Sequence, residues 1–382
     1  MEPESSSLGH GMMGADSVGS GAFVSGGPLN HGESSGGVNS ALLHEREVVR
    51  SAGRAAISSF LDSHECFSVL RNSGKVVVFD TRIPIQLAFY ALVEHDMQAA
   101  PLWDPNLCQF VGLLTVTDFI DVLRYYRTTS TDAATLATRS ISDILADSNI
   151  MSGVLGDRRG GMVSSTGSTA TIQRTGFLSA DTTTTLKHAC RLLHHNSLDF
   201  LPVILPDDMR VLATVTYTNI LEHLVTHFRE QRRLFDDTIY DLGIGTYNEE
   251  VVTVTPNQTL AEALHLLHMH SLGAVPVVDQ ETRKVVGVYS RSDITFLHSA
   301  TDVEDAIRNL DLTLESVMAE RRTDVTTPDS LHTCTMGHTL QSIFEYFAQL
   351  RFNRLIVVDE EERVVGVVSA RDLVAYFLEE GK

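Results

Sequence analysis

One arrangement of apolar and polar positions recurs four times along the chain. In each copy, two short apolar runs flank a polar turn, and a Ser or Thr then precedes an Asp or Asn by three residues. The copies lie at residues 100–120, 201–221, 275–294 and 355–374. Runs rich in β-branched residues on either side of a turn predict two strands, and the Ser/Thr and Asp positions predict the start of a helix.

An amphipathic helix is predicted before each pair of strands. Apolar residues there follow helical spacing, as in Leu260, Ala263, Leu264 and Leu267. The four predicted helices begin near Pro84, Thr185, Thr259 and Thr339. The unit is therefore helix, strand, strand, helix, and the fold class is α/β. Because one unit cannot bury both faces of its sheet, we expect the four repeats to pair two and two into sheet-packed modules.

Composition divides the rest of the chain. Residues 1–45 and 148–175 are dominated by small polar residues and contain too few large apolar groups to offset the entropy of ordering. We predict a disordered tail at 1–45 and a flexible insertion at 148–175, within a linker at 129–180. The other predicted segments are a pre-repeat segment at 46–75 and repeats at 76–128, 181–230, 231–298 and 299–380.

The charge and the cysteines exclude several classes of protein. The 29 basic and 49 acidic side chains give a formal net charge of -20, which disfavours nucleic acid and anionic membranes as partners. No segment approaches the roughly 20 consecutive apolar residues of a membrane span. Four cysteines without a CxxC pair, and no basic and apolar leader, predict a reduced intracellular protein, cytoplasmic or nuclear.

The usual sequence signatures of catalysis and of metal binding are weak or missing. The chain contains no GxSxG, no GxxxxGK[ST] and no kinase catalytic-loop motif, so we do not expect an enzyme. His265, His268 and His270 have spacing that would suit a metal ligand pair, but no Cys or second His pair accompanies them. We interpret these histidines, with His194 and His195, as solvated helix faces and expect no metal.

The recurring carboxylate is not required for packing. Asp118, Asp293 and Asp372 each stand three residues after Thr115, Ser290 or Ser369. Two interpretations remain open. The carboxylate caps backbone N–H groups at the start of a helix, or it accepts hydrogen bonds from a ribose diol while the hydroxyl and nearby amides meet a phosphate.

This unit with its Ser/Thr-x-x-Asp resembles the CBS (cystathionine-β-synthase) motif, and four copies resemble the gamma subunit of AMP-activated protein kinase. The resemblance is sharpest at residues 59–70, 76–81, 99–104 and 244–247 and extends over about 50–378. It implies two Bateman modules forming a flat disk, in which AMP, ADP and ATP compete to regulate a kinase alpha subunit. It also implies a beta subunit that completes a heterotrimer, with partner contacts in the pre-repeat segment.

The resemblance also implies which residues bind the nucleotide. Asp118, Asp293 and Asp372 match ribose-binding aspartates, whereas Asn219 in the second repeat implies an empty site. The other residues expected at the nucleotide sites are Thr115, Thr117, Thr246, Ser290, Arg321, Arg354 and Ser369.

Several positions depart from the family pattern of basic residues around the phosphates. Gln98, Asp199, Phe200, Thr218 and Asn353 replace basic residues there, and Gly273 replaces a Ser. Since each lost charge-assisted contact costs about 1.5–3 kcal/mol, loss of two could weaken binding ~100-fold.

We therefore expect the site of Asp118 to be largely inactive and that of Asp293 to be impaired. The site of Asp372, with Ser369, Thr246 and Arg321, is expected to be the best preserved. Alternatives are a scaffold subunit that no longer senses nucleotides, and a CBS protein with another partner or another adenosyl ligand.

Overall fold

A computed structural model describes most of the chain. The described residues are 35–70, 76–95, 97–129, 133–147, 177–228, 233–248, 251–270, 272–291, 293, 297, 300, 302–320, 330–350 and 352–378. Residues Glu47–Lys382 form one compact unit, distinct from Met1–Arg46.

The first part of the chain holds one long helix and the first repeat. A short strand, a helix, a strand hairpin and a second helix follow one another, and two short helices come next. The elements are α1 (Ser35–Ser63), β1 (Phe79–Asp80), α2 (Ile85–Glu94), β2 (Ala99–Asp104), β3 (Gln109–Thr115), α3 (Val116–Thr129), α4 (Ala133–Thr138) and α5 (Ile141–Ala146).

The second and third repeats follow the same order of elements. The second contains β4 (Ala180–Asp181), α6 (Leu186–His195), β5 (Leu201–Leu205), β6 (Arg210–Val215) and α7 (Tyr217–His227). The third begins with a short strand, β7 (Thr246–Tyr247), and continues with α8 (Leu260–Met269), β8 (Ala274–Val278) and β9 (Val285–Ser290). Two short helices, α9 (Val303–Arg308) and α10 (Leu314–Ala319), come next.

The fourth repeat closes the chain with β10 (Thr333–Cys334), α11 (Leu340–Leu350), β11 (Arg354–Val358), β12 (Val364–Ser369) and α12 (Ala370–Leu378). Short 3-10 helices lie at Cys66–Val69, Arg233–Asp236 and Asn309–Asp311. The predicted order of helix, strand, strand and helix is confirmed in the first, second and fourth copies. In the third copy, helix, strand and strand are confirmed, and most of the predicted second helix lies outside the described residues. The helix starts are confirmed as well, since Pro84, Thr185 and Thr259 stand at the N-caps of α2, α6 and α8.

The four hairpins share the same irregularities, which shows that the repeats are structural as well as sequence copies. Each hairpin has a register shift near the end of its first strand. Each also has one residue with a left-handed φ just before its second strand, at Cys108, Met209, Arg283 and Glu362. A left-handed residue after a turn fits a bulged hairpin connection, although none of these positions holds a glycine.

One strand leaves its own repeat. Within the first, second and fourth repeats the short strand pairs parallel with the hairpin, whose own strands are antiparallel. β7 lies near the start of the third repeat but pairs antiparallel with β12 of the fourth, placing Thr246 opposite Val367 and Tyr247 opposite Gly366. The third and fourth repeats are thereby linked by backbone hydrogen bonds.

Two apolar cores each combine helices from two repeats. One joins the first and third repeats, where Phe89 stacks on Phe119 with ring centroids 3.9 Å apart. The other joins the second and fourth, where Phe344 stacks on Phe377 at 5.3 Å. The helix layers therefore join repeats that are not consecutive in the chain, a contact that the expected sheet-packed pairs do not include.

The sheets make the other set of contacts between repeats. A small cluster of Val288, Ile356 and Val358 joins the sheets of the third and fourth repeats. Phe110 of β3 stacks at 5.0 Å on Phe177, which lies just before β4. Each repeat thus contacts one neighbour through its helices and another through its sheet.

Helix α1 begins inside the segment that composition assigned to a disordered tail. The 1–45 boundary is too late, because residues 41–49 contain good helix formers without Gly or Pro and extend the helix toward the N-terminus. Within the compact unit, Ile57 and Leu61 of α1 are buried in the core of the second and fourth repeats. The rest of the predicted tail and the 148–175 insertion lie outside the described residues.

Candidate functional site

The recurring Ser/Thr and Asp meet where the second strand of each hairpin turns into a helix. At the junction of β3 and α3, the backbone N and Oγ1 of Thr115 donate to Oδ2 of Asp118 at 2.9 and 2.6 Å. The backbone N of Asp118 donates in return to Oγ1 of Thr115 at 3.1 Å. This reciprocal pair is a capping box, so the carboxylate helps to begin the helix. Thr117 lies half-buried between the two.

The same box is present in the fourth and second repeats. Ser369 donates from N and Oγ to Oδ2 of Asp372 at 2.8 and 2.7 Å. Thr216 donates to Oδ1 of Asn219 at 3.0 and 2.9 Å. Because an amide makes the same cap, capping explains a short polar side chain here but does not require a carboxylate. Among the described residues, Oδ1 of Asp372 accepts no hydrogen bond, so one oxygen of this carboxylate is available.

The third junction is more enclosed. Ser290 is 0% exposed and Asp293 5% exposed. Three donors converge on the backbone O of Gly273: Oγ of Ser290 at 3.4 Å, N of Arg291 at 2.9 Å and Nη1 of Arg354 at 3.4 Å. Arg354 of the fourth repeat therefore lies at the junction of the third.

At the fourth junction, β7 brings in a residue from far along the chain. Thr246 stands opposite Val367, and Ser369 is two residues further along the same strand, so both side chains lie toward one face of the sheet. Thr246 itself is exposed. Arg321, the other residue predicted here, lies outside the described residues.

The second repeat faces the fourth junction with an unusual set of groups. Nη2 of Arg371 donates to Oγ of Ser197 at 3.1 Å. Tyr217 is 5% exposed, and its hydroxyl has no hydrogen-bond partner among the described residues. Burial raises the pKa of Tyr217, with further effects from Arg371, Asp199 and Asp372. The carboxylates of Asp199 and Asp372 thus both act on Tyr217.

The positions that lack the expected basic residues lie beside the junctions. The backbone O of Gln98 accepts from N of Val116, and the backbone O of Asn353 accepts from N of Ala370, both at 3.0 Å. Oγ1 of Thr218 lies 2.9 Å from Oγ1 of Thr216. The backbones of Gln98 and Asn353 thus lie at the starts of α3 and α12, Thr218 lies in the first turn of α7, and all three residues are uncharged.

Sequence reasoning missed a buried ion cluster between the first and third repeats. We call Asp121, Arg124, His268 and Arg291 the inter-repeat ion cluster. Nη2 of Arg291 donates to Oδ2 of Asp121 at 2.5 Å, and Nη1 of Arg124 donates to Oδ1 at 3.3 Å. The signal that could have found it is Asp121 itself, one helical turn after Asp118 on the apolar side of α3.

The interpretation of the histidine run as a solvated helix face is wrong for one of its members. His265 and His270 are exposed, but His268 is 5% exposed, and its Nδ1 lies 3.9 Å from Oδ1 of Asp121. The reason is its position one turn after Leu264, which places it on the apolar stripe of α8 that packs against the first repeat.

Two other features bear on the kinds of site that the described residues could form. Within the described part of the chain, no group of three or more His, Cys, Asp or Glu could hold a metal ion. No described helix is both long enough and apolar enough to cross a membrane.

Comparisons with known proteins agree with the repeat pattern. The CBS domain model matches residues 170–226, 244–300 and 323–379, which cover the second to fourth repeats. The 5'-AMP-activated protein kinase subunit gamma of Dictyostelium discoideum is 31% identical over 341 residues, 88% of this chain and 55% of the relative. Subunit gamma-3 of Homo sapiens is 30% identical over 340 residues, 86% of this chain and 61% of the relative. The chain thus spans less than two thirds of the length of these relatives.

A solved structure supports the fold. A protein of Methanocaldococcus jannaschii, described as a proposed archaeal homologue of the same gamma subunit, superposes with a TM-score of 0.58 at 14% identity. The match covers 82% of this chain and 99% of the other. At this identity the likeness concerns the arrangement of the repeats alone.

Proposed function

From the premise that this chain is a CBS-domain protein similar to the gamma subunits of AMP-activated protein kinase, we propose that it is a non-catalytic regulatory subunit of gamma type. It binds AMP, ADP or ATP at the junctions between strand and helix and regulates a kinase alpha subunit, with a beta subunit completing the heterotrimer. A ligand that binds one conformation of such a complex more tightly than another shifts the populations of the two.

The fourth junction is the observation that carries this proposal. Ser369 and Asp372 flank the start of α12, one carboxylate oxygen of Asp372 is available, and β7 supplies Thr246 beside them. A ribose diol donates well to a carboxylate oxygen, and amides at a helix start suit a phosphate. The nucleotide would sit with its ribose on Asp372 and its phosphates toward Ser369 and Thr246.

Binding is expected to be weaker than at a site lined by basic residues. Gln98, Thr218 and Asn353 are uncharged, and Asp199 adds a carboxylate that acts on Tyr217, as Asp372 also does. A carboxylate near a phosphate repels it. We therefore propose one working site, at Asp372, an inactive site at Asp118 and an impaired one at Asp293.

The proposal is tested by titrating AMP and ATP into the purified chain, with variants that keep the cap. Asn219 forms the same capping box as its acidic counterparts, so Asp372→Asn should preserve α12 and remove only the ribose acceptor. We expect this variant to lose at least about 10-fold in affinity, the value of one to two charge-assisted hydrogen bonds. Asp118→Asn is the matched control and should bind as the parent protein does.

Equal losses from the two variants, or two or more tight AMP sites, would contradict the ranking of the sites. Co-expression with alpha and beta C-terminal fragments tests the partner assignment, which fails if no trimer forms.

A scaffold subunit without nucleotide sensing is the second candidate. Its support is the fourth junction itself, where Arg371 is engaged with Ser197 and Asp199 adds negative charge. A stable trimer with no measurable AMP or ATP binding would favour it.

A further inference from the structure

We propose that Asp121 is a built-in counter-anion that takes the place of a ligand phosphate at the third junction, so that Arg291 binds an exogenous phosphate only when this carboxylate is absent. The inference rests on the proposed function for the location of the phosphate. The ion cluster itself is a feature of the packing between the first and third repeats.

The backbone of Arg291 lies at the candidate site, but its side chain extends away from that site. It stands between Ser290 and Asp293, the two residues that would contact a nucleotide, and its backbone N donates to the backbone O of Gly273. Its guanidinium crosses to α3 of the first repeat and donates to Asp121 at 2.5 Å. Arg291 is the one cation in this Ser-x-x-Asp segment, and its guanidinium is therefore paired with Asp121 of the same chain.

The ion pair of Arg291 and Asp121 is buried, and this burial sets the free-energy cost of breaking it. The side chain of Asp121 is 2% exposed and that of Arg291 is 10% exposed. Removing one partner of such a pair leaves a charge without compensation, which typically costs about 3–5 kcal/mol. A phosphate that drew Arg291 away would have to leave Asp121 buried without its partner at 2.5 Å. The carboxylate consequently excludes the phosphate.

This arrangement orders the third junction in the absence of any ligand. A guanidinium near a nucleotide site usually depends on the ligand for its partner, whereas Arg291 has one within the chain. The first and third repeats are then held together whether or not adenine nucleotides are present. Sensing is confined to the other pair of repeats.

The test compares Asp121→Asn with a control substitution that disrupts another ion pair in the same interface. Arg127 of α3 is paired with Asp311 of the third repeat, but the Asp311 side chain is 65% exposed. Asp311→Asn therefore removes the same charge from the same interface without leaving a buried cation. Melting temperatures of the full chain are measured in chloride and in inorganic phosphate at equal ionic strength.

In chloride, Asp121→Asn should melt roughly 5–10 °C below the parent protein, as expected for losing one member of a buried pair, and Asp311→Asn should melt within about 2 °C of it. In phosphate, the melting temperature of Asp121→Asn should recover at least half of this decrease. The melting temperatures of the parent and of Asp311→Asn should rise only by the small amount expected of a general salt effect. The double variant Asp121→Asn/Arg291→Met should regain stability in chloride and lose the specific response to phosphate.

Two outcomes overturn the inference. One is that Asp121→Asn melts as Asp311→Asn does, and the other is that its phosphate response equals that of the parent. Should Asp121→Asn not fold in chloride, its folded yield with and without phosphate replaces the melting shift, with the double variant as the folded reference.

Failure of the inference can be told from failure of the proposed function. Nucleotide binding that depends on Asp372, without phosphate rescue of Asp121→Asn, defeats the inference alone. Phosphate rescue of Asp121→Asn in a protein that binds no adenine nucleotide defeats the proposed function alone.

Discussion

His223 illustrates how burial controls the chemistry of single residues here. It lies on α7 under the end of α1, with its ring 5.1 Å from that of His64 and 4.3 Å from that of His227. It is 8% exposed, and its Nε2 has no hydrogen-bond partner among the described residues. Burial, followed by the repulsion of His227 and His64, lowers the pKa of His223 to about 4. The docking of α1 therefore requires a neutral imidazole.

The stability of the protein should fall as the pH drops below the ordinary pKa of histidine. The unfolded chain binds a proton at His223 near pH 6.5, but the folded chain does so only near pH 4. Between these values the unfolded state holds more protons, so acid favours unfolding, by about 1–3 kcal/mol over the window. Denaturant unfolding at pH 7.5 and pH 5 measures the difference.

His223→Phe keeps a ring in this position and should reduce that pH dependence. His265→Gln, at an exposed position on α8, is the control and should leave it unchanged. The explanation fails if both variants show the pH dependence of the parent protein.

At the scale of elements, two glycines, Gly366 and Gly245, allow β7 to lie directly against β12. A Cβ at Gly366 would lie 2.6 Å from Cδ1 of Tyr247 and 2.9 Å from the backbone O of Thr246. Gly245 has a φ of +110°, and a Cβ there would lie 2.8 Å from the backbone O of Val367. These glycines permit a close approach of two backbones, which positions Thr246 beside the fourth junction.

Gly366→Ala should separate β7 from β12 and weaken the fourth junction. We expect a loss of stability of about 1–3 kcal/mol, as is usual for overpacking, together with weaker AMP binding because Thr246 moves. Calorimetric titration and chemical denaturation measure the two effects.

The matched control is the equivalent glycine of the first repeat. Among the described residues beyond its two chain neighbours, a Cβ at Gly112 would meet only Cδ1 of Leu102, at 4.0 Å. Gly112→Ala should therefore leave stability and binding nearly unchanged. Similar effects at both positions would count against the role assigned to β7.

For the compact unit as a whole, the pairing of repeats predicts joint unfolding. Helices unite the first repeat with the third and the second with the fourth, while the sheets unite the third with the fourth. Every repeat therefore shares its core with another repeat, and unfolding one repeat exposes apolar surface of the other.

Scanning calorimetry should accordingly show a single transition. Phe119→Ala in one core and Phe347→Ala in the other should each lower the midpoint of that transition, at a cost of about 3–5 kcal/mol for a large buried ring. Two resolved transitions, each sensitive to only one of the variants, would show that the two cores unfold independently.

The sequence alone determined the repeat unit and most of its boundaries. Alternating apolar runs, polar turns and Ser/Thr positions depend on local backbone chemistry, which is why the starts of α2, α6 and α8 agree with the structure. The capping boxes also followed from spacing, because N-cap and N3 residues are neighbours in the chain. Both the helix order and the Ser/Thr-x-x-Asp junctions were therefore predictable.

Only the tertiary structure decided which repeats share a core and where charged residues lie. Apolar helix faces carry no information about their partner, so the pairing of first with third repeat could not be read from periodicity. Helical spacing places His268 and Asp121 on the apolar sides of α8 and α3, but only the packing of the third repeat on the first brings the two side chains together. Thr246 likewise reaches the fourth junction through a strand pairing between segments distant in sequence, which local patterns do not specify.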